Sequence, residues 1–184
     1  MTNFETPVKL SDGRYFVKIT GETPNDRIFV QLNKCTMVGP GCYNIPVDLA
    51  EYDQKILAKA AESSEAWFGK PITLEALTKM YENSVTSDVF EASLMKIKGK
   101  CVTLVFNEHK EAVGVDDLKT GCRCNLIVEL SGIWFLKKNF GPIWRVAQAR
   151  ILSSEKKSPV DSYMFNDDTQ DEPEIAKEDL EDFS

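Results

Sequence analysis

Residues 132–151 bring together the two side-chain types that binding of an unpaired nucleic acid strand requires. They contain four aromatic rings and four bases. Cations neutralise phosphates, and flat rings receive unstacked bases, with each stack contributing about 1–3 kcal/mol. The candidate nucleic-acid-binding residues here are Trp134, Phe135, Lys137, Lys138, Phe140, Trp144, Arg145 and Arg150.

A second basic segment precedes this stretch. Lys96, Lys98 and Lys100 alternate with other residues, and in a single strand every second side chain lies on the same face. We therefore add these three lysines to the nucleic-acid-binding set as a stripe that follows phosphates. The alternative is an edge strand whose charges protect it against aggregation.

The aromatic candidates also have a structural interpretation. Tryptophan in a strand commonly packs in a core, which applies to Trp134 and Trp144, and a lysine pair is common at a solvated hairpin tip. Phe140 stands beside Gly141 in a polar turn, so we expect it to be exposed. Simple alternation along the last strand leaves neither face cleanly polar, and the register of that strand stays open.

Charge is distributed unevenly along the chain. Residues 161–184 carry ten acids and one base, a net charge of −9, which leaves residues 1–160 at +2. Within that body, residues 96–157 hold twelve bases and six acids, net +6. This division favours a body that binds a polyanion, with a tail that competes with the polyanion or recruits partners.

The periodicity of apolar residues predicts two or three strands, a helical insertion and four further strands. Residues 14–20 and 27–35 are predicted as two strands joined in a hairpin, and later strands are predicted near 88–98, 101–107, 122–136 and 142–152. Helices are predicted from Asp48 to about Trp67 and from Leu74 to Tyr81, the second capped by Thr73. In the second helix Leu74, Leu77 and Met80 are expected to face inward, and Trp67-Phe68 is interpreted as a packing anchor.

We expect from this order a mainly β fold with an OB-fold-like barrel of five to six strands. The predicted nucleic-acid-binding domain covers residues 1–158, with its helical insertion at about 48–82. The predicted flexible acidic tail covers residues 159–184, because the residues beyond Pro159 become polar and residues 166–171 are nearly devoid of apolar content.

Motifs for other chemistry are weak. The five cysteines have no repeated spacing, which predicts free, mostly buried thiols in a reducing compartment, and Cys122-x-Cys124 is poor zinc spacing. His109 is the only histidine, and no Gly-rich phosphate loop or nucleophile elbow occurs. We expect no catalysis, no metal and no cofactor. The N-terminus has no signal pattern and the chain has no membrane-length apolar run, so we expect a soluble intracellular protein that does not engage a membrane.

The chain resembles the single-stranded DNA-binding proteins of large nucleocytoplasmic DNA viruses and their relatives in tailed bacteriophages. The resemblance is carried by Gly132-Ile133-Trp134-Phe135, Phe140-Gly141, Trp144, Val146, Gln148 and the acidic tail. It implies an OB-fold with an inserted helix, a homodimer, and sequence-independent binding of single-stranded DNA at viral replication sites in the infected cell. It further implies roles in DNA replication, recombination or repair, with polymerase, primase or helicase docking on Asp179, Glu181, Asp182 and Phe183.

Two other functions fit the sequence. A protein-interaction or structural module would use the acidic tail as its recruiting element and would not need the basic hairpin. An RNA-binding protein would use the same residues as a DNA-binding one, because discrimination depends on contacts to the 2′-hydroxyl.

Overall fold

The computed structural model describes residues 2–23 and 25–152. The N-terminal strands are β1 (Asn3–Phe4), β2 (Val8–Lys9), β3 (Tyr15–Thr20), β4 (Ile28–Gly39) and β5 (Cys42–Asn44). The helices are α1 (Ala50–Glu62), α2 (Ser64–Phe68) and α3 (Leu74–Met80). The later strands are β6 (Val85–Thr86), β7 (Val89–Glu91), β8 (Ser93–Leu94), β9 (Lys96–Ile97), β10 (Lys100–Cys101), β11 (Leu104–Phe106), β12 (Ala112–Val113), β13 (Arg123–Phe135) and β14 (Phe140–Ile151). A 3₁₀ turn (Val115–Asp117) precedes β13.

The mainly β prediction and the helical insertion are confirmed, but strand pairing follows an open path. The order of the large sheet is β12-β11-β14-β13-β4-β5-β7-β6. Within residues 2–23 and 25–152, no pairing joins the two end strands of this path. The closed barrel of the sequence prediction is therefore absent from the described strands.

Strand β13 lies at the centre of the sheet. It pairs with β14 along nearly its whole length, while its other edge pairs first with β4 and then with β3. A β-carbon at Gly132 would overlap the Phe16 ring, so only glycine lets β3 approach there. The predicted hairpin between 14–20 and 27–35 is wrong, because these strands share one long edge of β13 instead of pairing with each other.

The helical insertion begins and divides slightly differently from the prediction. The predicted first helix is two helices, α1 and α2, that meet at Ser63. The N-cap residue of α1 is Leu49, one residue after the predicted start at Asp48. The Asp48 carboxylate still accepts a hydrogen bond from the Ala50 amide at 3.1 Å. The Thr73 cap of α3 is confirmed, since its hydroxyl accepts from the Ala76 amide at 3.2 Å. Leu77 is buried as predicted, whereas Leu74 is 54% exposed in the first turn of the short helix.

The core lies between the inner face of the sheet and the helices. Trp67 and Phe68 of α2 pack edge-on against Phe135, with ring centroids 5.4 and 5.3 Å away, which confirms the predicted packing anchor. Such pairs stabilise by about 0.5–1.5 kcal/mol beyond the area they bury. None of the helices among the described residues has the length and apolar character needed to cross a membrane.

The five cysteines are free, and two buried ones lie side by side on neighbouring strands. Cys35 of β4 pairs in register with Cys124 of β13, and neither has exposed surface. Burial raises the pKa of the Cys35 thiol from 9.0 to about 11. The folded protein therefore holds this proton over a pH range in which the unfolded chain loses it.

This difference predicts an alkaline loss of stability that Cys35→Val removes. Below pH 9 both states bind the proton, so the contribution is complete; between pH 9 and about 11 only the folded state binds it. The free energy of unfolding should fall across this window by about 2–3 kcal/mol more in the unmodified protein than in Cys35→Val. Urea denaturation at several pH values measures both slopes, and equal slopes would contradict the assignment.

Candidate nucleic-acid interface

Two bulges determine which side chains of the β13–β14 hairpin face the core. The pairing register skips Ser131 on β13 and Ala147 on β14. Directly opposite residues share a face of the sheet, so the register sends one set of β14 residues inward: Trp144, Val146, Ala149 and Ile151. The outward set is Ile143, Arg145, Gln148 and Arg150.

Three aromatic candidates are core residues. Phe135 is 5%, Phe140 0% and Trp144 3% exposed. The expectation that Phe140 is exposed is wrong, because β14 already begins there and its ring stacks on Phe135 at 5.7 Å between centroids. A base cannot stack on a ring without an accessible face, so these residues do not form a binding surface in this conformation.

A buried polar network holds Trp144 in the core. Its indole Nε1 donates to Ser84 Oγ at 2.8 Å, and this hydroxyl donates to Asp53 Oδ1 at 2.7 Å. The Tyr81 hydroxyl donates to the same carboxylate oxygen at 2.6 Å. Burial, with the nearby Asp53 charge, raises the pKa of Tyr81 far above its usual value. The network links α1, the segment after α3 and β14.

Trp134 is half-buried, and its surroundings are acidic. A β-carbon at Gly141 would lie 3.2 Å from its ring, so the glycine makes room for the indole. The ring borders a cavity of about 270 Å³ whose lining includes Glu82 and Glu91. These carboxylates disfavour phosphate beside the ring.

The predicted lysines lie on separate loops. Lys137 and Lys138 are exposed in the connection between β13 and β14. The predicted stripe of Lys96, Lys98 and Lys100 is wrong: Lys98 and Gly99 form the left-handed turn of a hairpin, with φ of 53° and 80°. Ile97 pairs with Lys100, which puts Lys96 and Lys100 on opposite faces of this small ribbon.

The outward residues of four neighbouring strands form a continuous surface, which we call the outer sheet face. Its strands are β4, β13, β14 and β11, and the pairing register aligns its side chains in three rows. The first row is Phe29, Glu129 and Arg145; the second is Gln31, Ile127, Gln148 and Leu104; the third is Asn125, Arg150 and Phe106. The surface therefore combines two phenylalanines, four polar amide or carboxylate side chains and two arginines.

Sequence reasoning identified Arg145 and Arg150 of this surface and missed its rings. Phe29 is 47% exposed, and Phe106 is half-buried. The alternation of Phe29, Gln31 and Asn33 between apolar residues is visible in the sequence and is typical of a strand with one polar face. Phe106 gives no such signal, because its strand has only three residues.

One acid of the outer sheet face is neutralised within the structure. Arg27 makes two hydrogen bonds of 2.8 Å to the Glu129 carboxylate, and its guanidinium carbon lies 5.2 Å from the Phe29 ring centroid. The hydrogen bonds to Glu129 raise the pKa of Arg27. With Glu129 paired, Arg145 and Arg150 leave this surface positive.

A groove of about 340 Å³ lies at the end of the outer sheet face near Arg150. Its polar lining consists of Gln31, Lys110, Asn125, Gln148 and Arg150, and its walls include the Phe106 ring. Arg150 Nη2 donates to the Glu108 carbonyl at 3.2 Å. The Nε atom of Arg150 is buried and has no hydrogen-bond partner among the described residues.

Within residues 2–23 and 25–152 no three His, Cys, Asp or Glu side chains are arranged to hold a metal ion. The tail residues Asp179, Glu181, Asp182 and Phe183 lie outside the described residues.

The geometry of Trp144 predicts a structural phenotype. Trp144→Phe removes the hydrogen bond to Ser84 and part of the packing, so the free energy of unfolding should fall by about 1–2 kcal/mol. The anisotropy of labelled oligo-dT in the presence of the protein should be the same for the variant and the unmodified protein, because the indole does not reach the outer sheet face. Urea denaturation and fluorescence anisotropy with labelled oligo-dT measure the two effects. Loss of affinity at unchanged stability would place Trp144 in a binding site after all.

Comparison with known proteins identifies a family. A model for a family of unknown function, DUF5871, matches residues 46–167, about two thirds of the chain. The match covers the helical insertion and strands β6–β14, and it excludes β1–β5. No curated protein matches the sequence. The chain belongs to the DUF5871 family.

Proposed function

We propose that this protein binds single-stranded DNA across the outer sheet face, in support of DNA replication, recombination or repair. The observation that carries the proposal is the placement of Phe29 and Phe106 on the two outer strands, with Arg145 and Arg150 on the same face between them. This arrangement replaces the tryptophan platform expected from the sequence. Arg145 and Arg150 belong to the binding surface in both the sequence prediction and the present proposal.

The dimensions suit a short piece of an unpaired strand. Phe29 and Phe106 are separated by three inter-strand steps and about four residues along the strands, which corresponds to about 20 Å. A path of this length fits a strand whose bases stack at two points and whose backbone passes over the arginines. The amides between the rings can form hydrogen bonds with any base, which is compatible with sequence-tolerant binding.

The charges on the outer sheet face also favour contact with phosphates. The pairing of Arg27 with Glu129 leaves Arg145 and Arg150 to neutralise phosphates. Each neutralised phosphate releases a condensed counterion, so affinity should fall with a log–log salt slope of about −0.7 per contact for a single strand. Binding on a sheet face is also the mode of OB-folds, and we propose that this sheet is an open relative of that fold.

The acidic tail completes the proposal. Residues 161–184 carry a net charge of −9, and such a segment competes with DNA for cations and attracts basic surfaces of other proteins. We propose that it recruits replication proteins and weakens binding of poor ligands.

Removal of the two rings tests the interface. Phe29→Ala and Phe106→Ala should each weaken binding of labelled oligo-dT by about tenfold, because each loses a base stack worth about 1–3 kcal/mol. Fluorescence anisotropy at two salt concentrations measures the affinity and the salt slope. The slope should be the same in both variants, since neither removes a charge.

Leu74→Ala is the matched control for Phe29→Ala, because both are exposed apolar residues, at 54% and 47%, and Leu74 lies on α3. It should leave affinity unchanged. Failure of the unmodified protein to bind oligo-dT at low salt would overturn the function, and tighter binding of oligo-U would indicate an RNA ligand. Full affinity in both phenylalanine variants would reject this face as the interface.

A further inference from the structure

We infer that the outer sheet face continues onto the small ribbon formed by β9 and β10, and that single-stranded DNA contacts only one face of this ribbon. The contacting face carries Ile97, Lys100 and Val102, whereas Lys96 lies on the opposite face. The inference rests on the proposed function and extends its interface. Of the two lysines on the strands of the ribbon, it assigns a phosphate contact to Lys100 and none to Lys96.

The ribbon leaves the sheet at the bulge of β14. β8 ends beside Val146 and β11 begins beside Gln148, so the chain between them projects from the edge of β14 next to Ala147. The buried Thr103 hydroxyl closes the base of the ribbon, because it accepts a hydrogen bond from the Met95 amide at 2.7 Å and donates to the Val146 carbonyl. The ribbon is therefore attached to the strand that carries both arginines of the outer sheet face.

Pairing within the ribbon determines which side chains share a face. The Val102 amide donates to the Met95 carbonyl at 2.8 Å, and Ile97 is the register partner of Lys100. Directly opposite residues lie on the same face, and so do alternate residues along a strand. One face therefore consists of Met95, Ile97, Lys100 and Val102. Lys96 lies on the other.

Two observations orient the first of these faces. Arg27 Nη2 donates to Met95 Sδ at 3.1 Å, and the same guanidinium pairs with Glu129 of the outer sheet face. Leu104 belongs to the second row of that surface, and Lys100 precedes it by four residues, which returns to the same side of an extended chain. Both observations show that this ribbon face continues the outer sheet face.

The side chains of this face suit an unpaired strand. Ile97 is 55% and Val102 38% exposed, and burial of such aliphatic carbons against the face of an unstacked base is favourable. Lys100 is exposed and makes no ion pair with an acid among residues 2–23 and 25–152. A free cation beside apolar side chains repeats the combination of Phe29 with Arg145, which favours the same polyanion as the occupant.

The two lysines provide a matched pair for the test, because Lys100→Gln and Lys96→Gln make the same change on opposite faces. Fluorescence anisotropy of labelled oligo-dT on the full chain measures affinity at about 50 and about 200 mM salt. Loss of one phosphate contact reduces the log–log salt slope by about 0.7, so Lys100→Gln should weaken binding about eightfold at the lower and about threefold at the higher concentration. Lys96→Gln should change affinity by less than about twofold, since it loses no contact and salt screens its remaining field.

The apolar contact is tested by Ile97→Ala. This variant should weaken binding by about threefold at both salt concentrations, because the lost contact is apolar and carries no charge. Val47→Ala is the control, since Val47 is 51% exposed in the connection between β5 and α1. It should leave affinity unchanged.

Full affinity in either Lys100→Gln or Ile97→Ala would overturn the inference and would indicate that the exposed ribbon serves a different partner, such as a protein. An equal loss in the two lysine variants, or a larger loss in Lys96→Gln, would overturn the contact through one face. The proposed function stands in each of these cases, provided that the unmodified protein binds oligo-dT. Absence of that binding would reject the proposed function itself.

Discussion

The alternation of side chains along the β13–β14 hairpin is the constraint on which the rest of the structure depends. β13 is paired on both edges, so its successive residues must lie either in the core or on the outer sheet face. The bulges at Ser131 and Ala147 shift this alternation once on each strand. As a result, the rings of Phe135, Phe140 and Trp144 lie inside, and the arginines of β14 lie outside.

The helical insertion makes the inner face unavailable to ligands. α2 covers Phe135 and Phe140 with its own rings, and Asp53 of α1 anchors the Tyr81–Ser84 segment against Trp144. A carboxylate that is buried in this way is tolerated because hydroxyl and amide donors satisfy it. The insertion and the inner rings therefore form one core, and the opposite face of the sheet is the one for which we propose polyanion binding.

The sequence predicted the bounds of the strands better than it predicted which side chains lie on each face of the sheet. The bounds of β13 and β14 agree with the predicted strands at 122–136 and 142–152 to within two residues, and the Thr73 cap was identified from its position before an apolar run. Strict alternation, however, groups Trp144 with Gln148 and Arg150, and a bulge leaves no signal in residue type at Ala147. That single extra residue explains why neither face of the last strand read as polar.

The sequence also did not predict which distant strands pair with each other. Residues 14–20 and 27–35 are adjacent strands with a turn between them, which is typical of a hairpin, yet the long edge of β13 accommodates both. Lys98 and Gly99 form a turn where a continuous strand was expected, and the lysine stripe disappears with it. The arginines of the outer sheet face could be predicted because they lie within the hairpin sequence itself, whereas Phe29 and Phe106 join them only through the pairing of β4 and β11.

Photochemical cross-linking tests the central claim, that single-stranded DNA lies on the outer sheet face, most directly. An oligonucleotide that contains 5-iodouracil would be bound to the full chain, irradiated, and the attached peptides identified by mass spectrometry. We expect attachment within β4 and β11, at or beside Phe29 and Phe106. Attachment at Trp134, Trp144 or the Lys137–Lys138 loop, with none on β4 or β11, would contradict it.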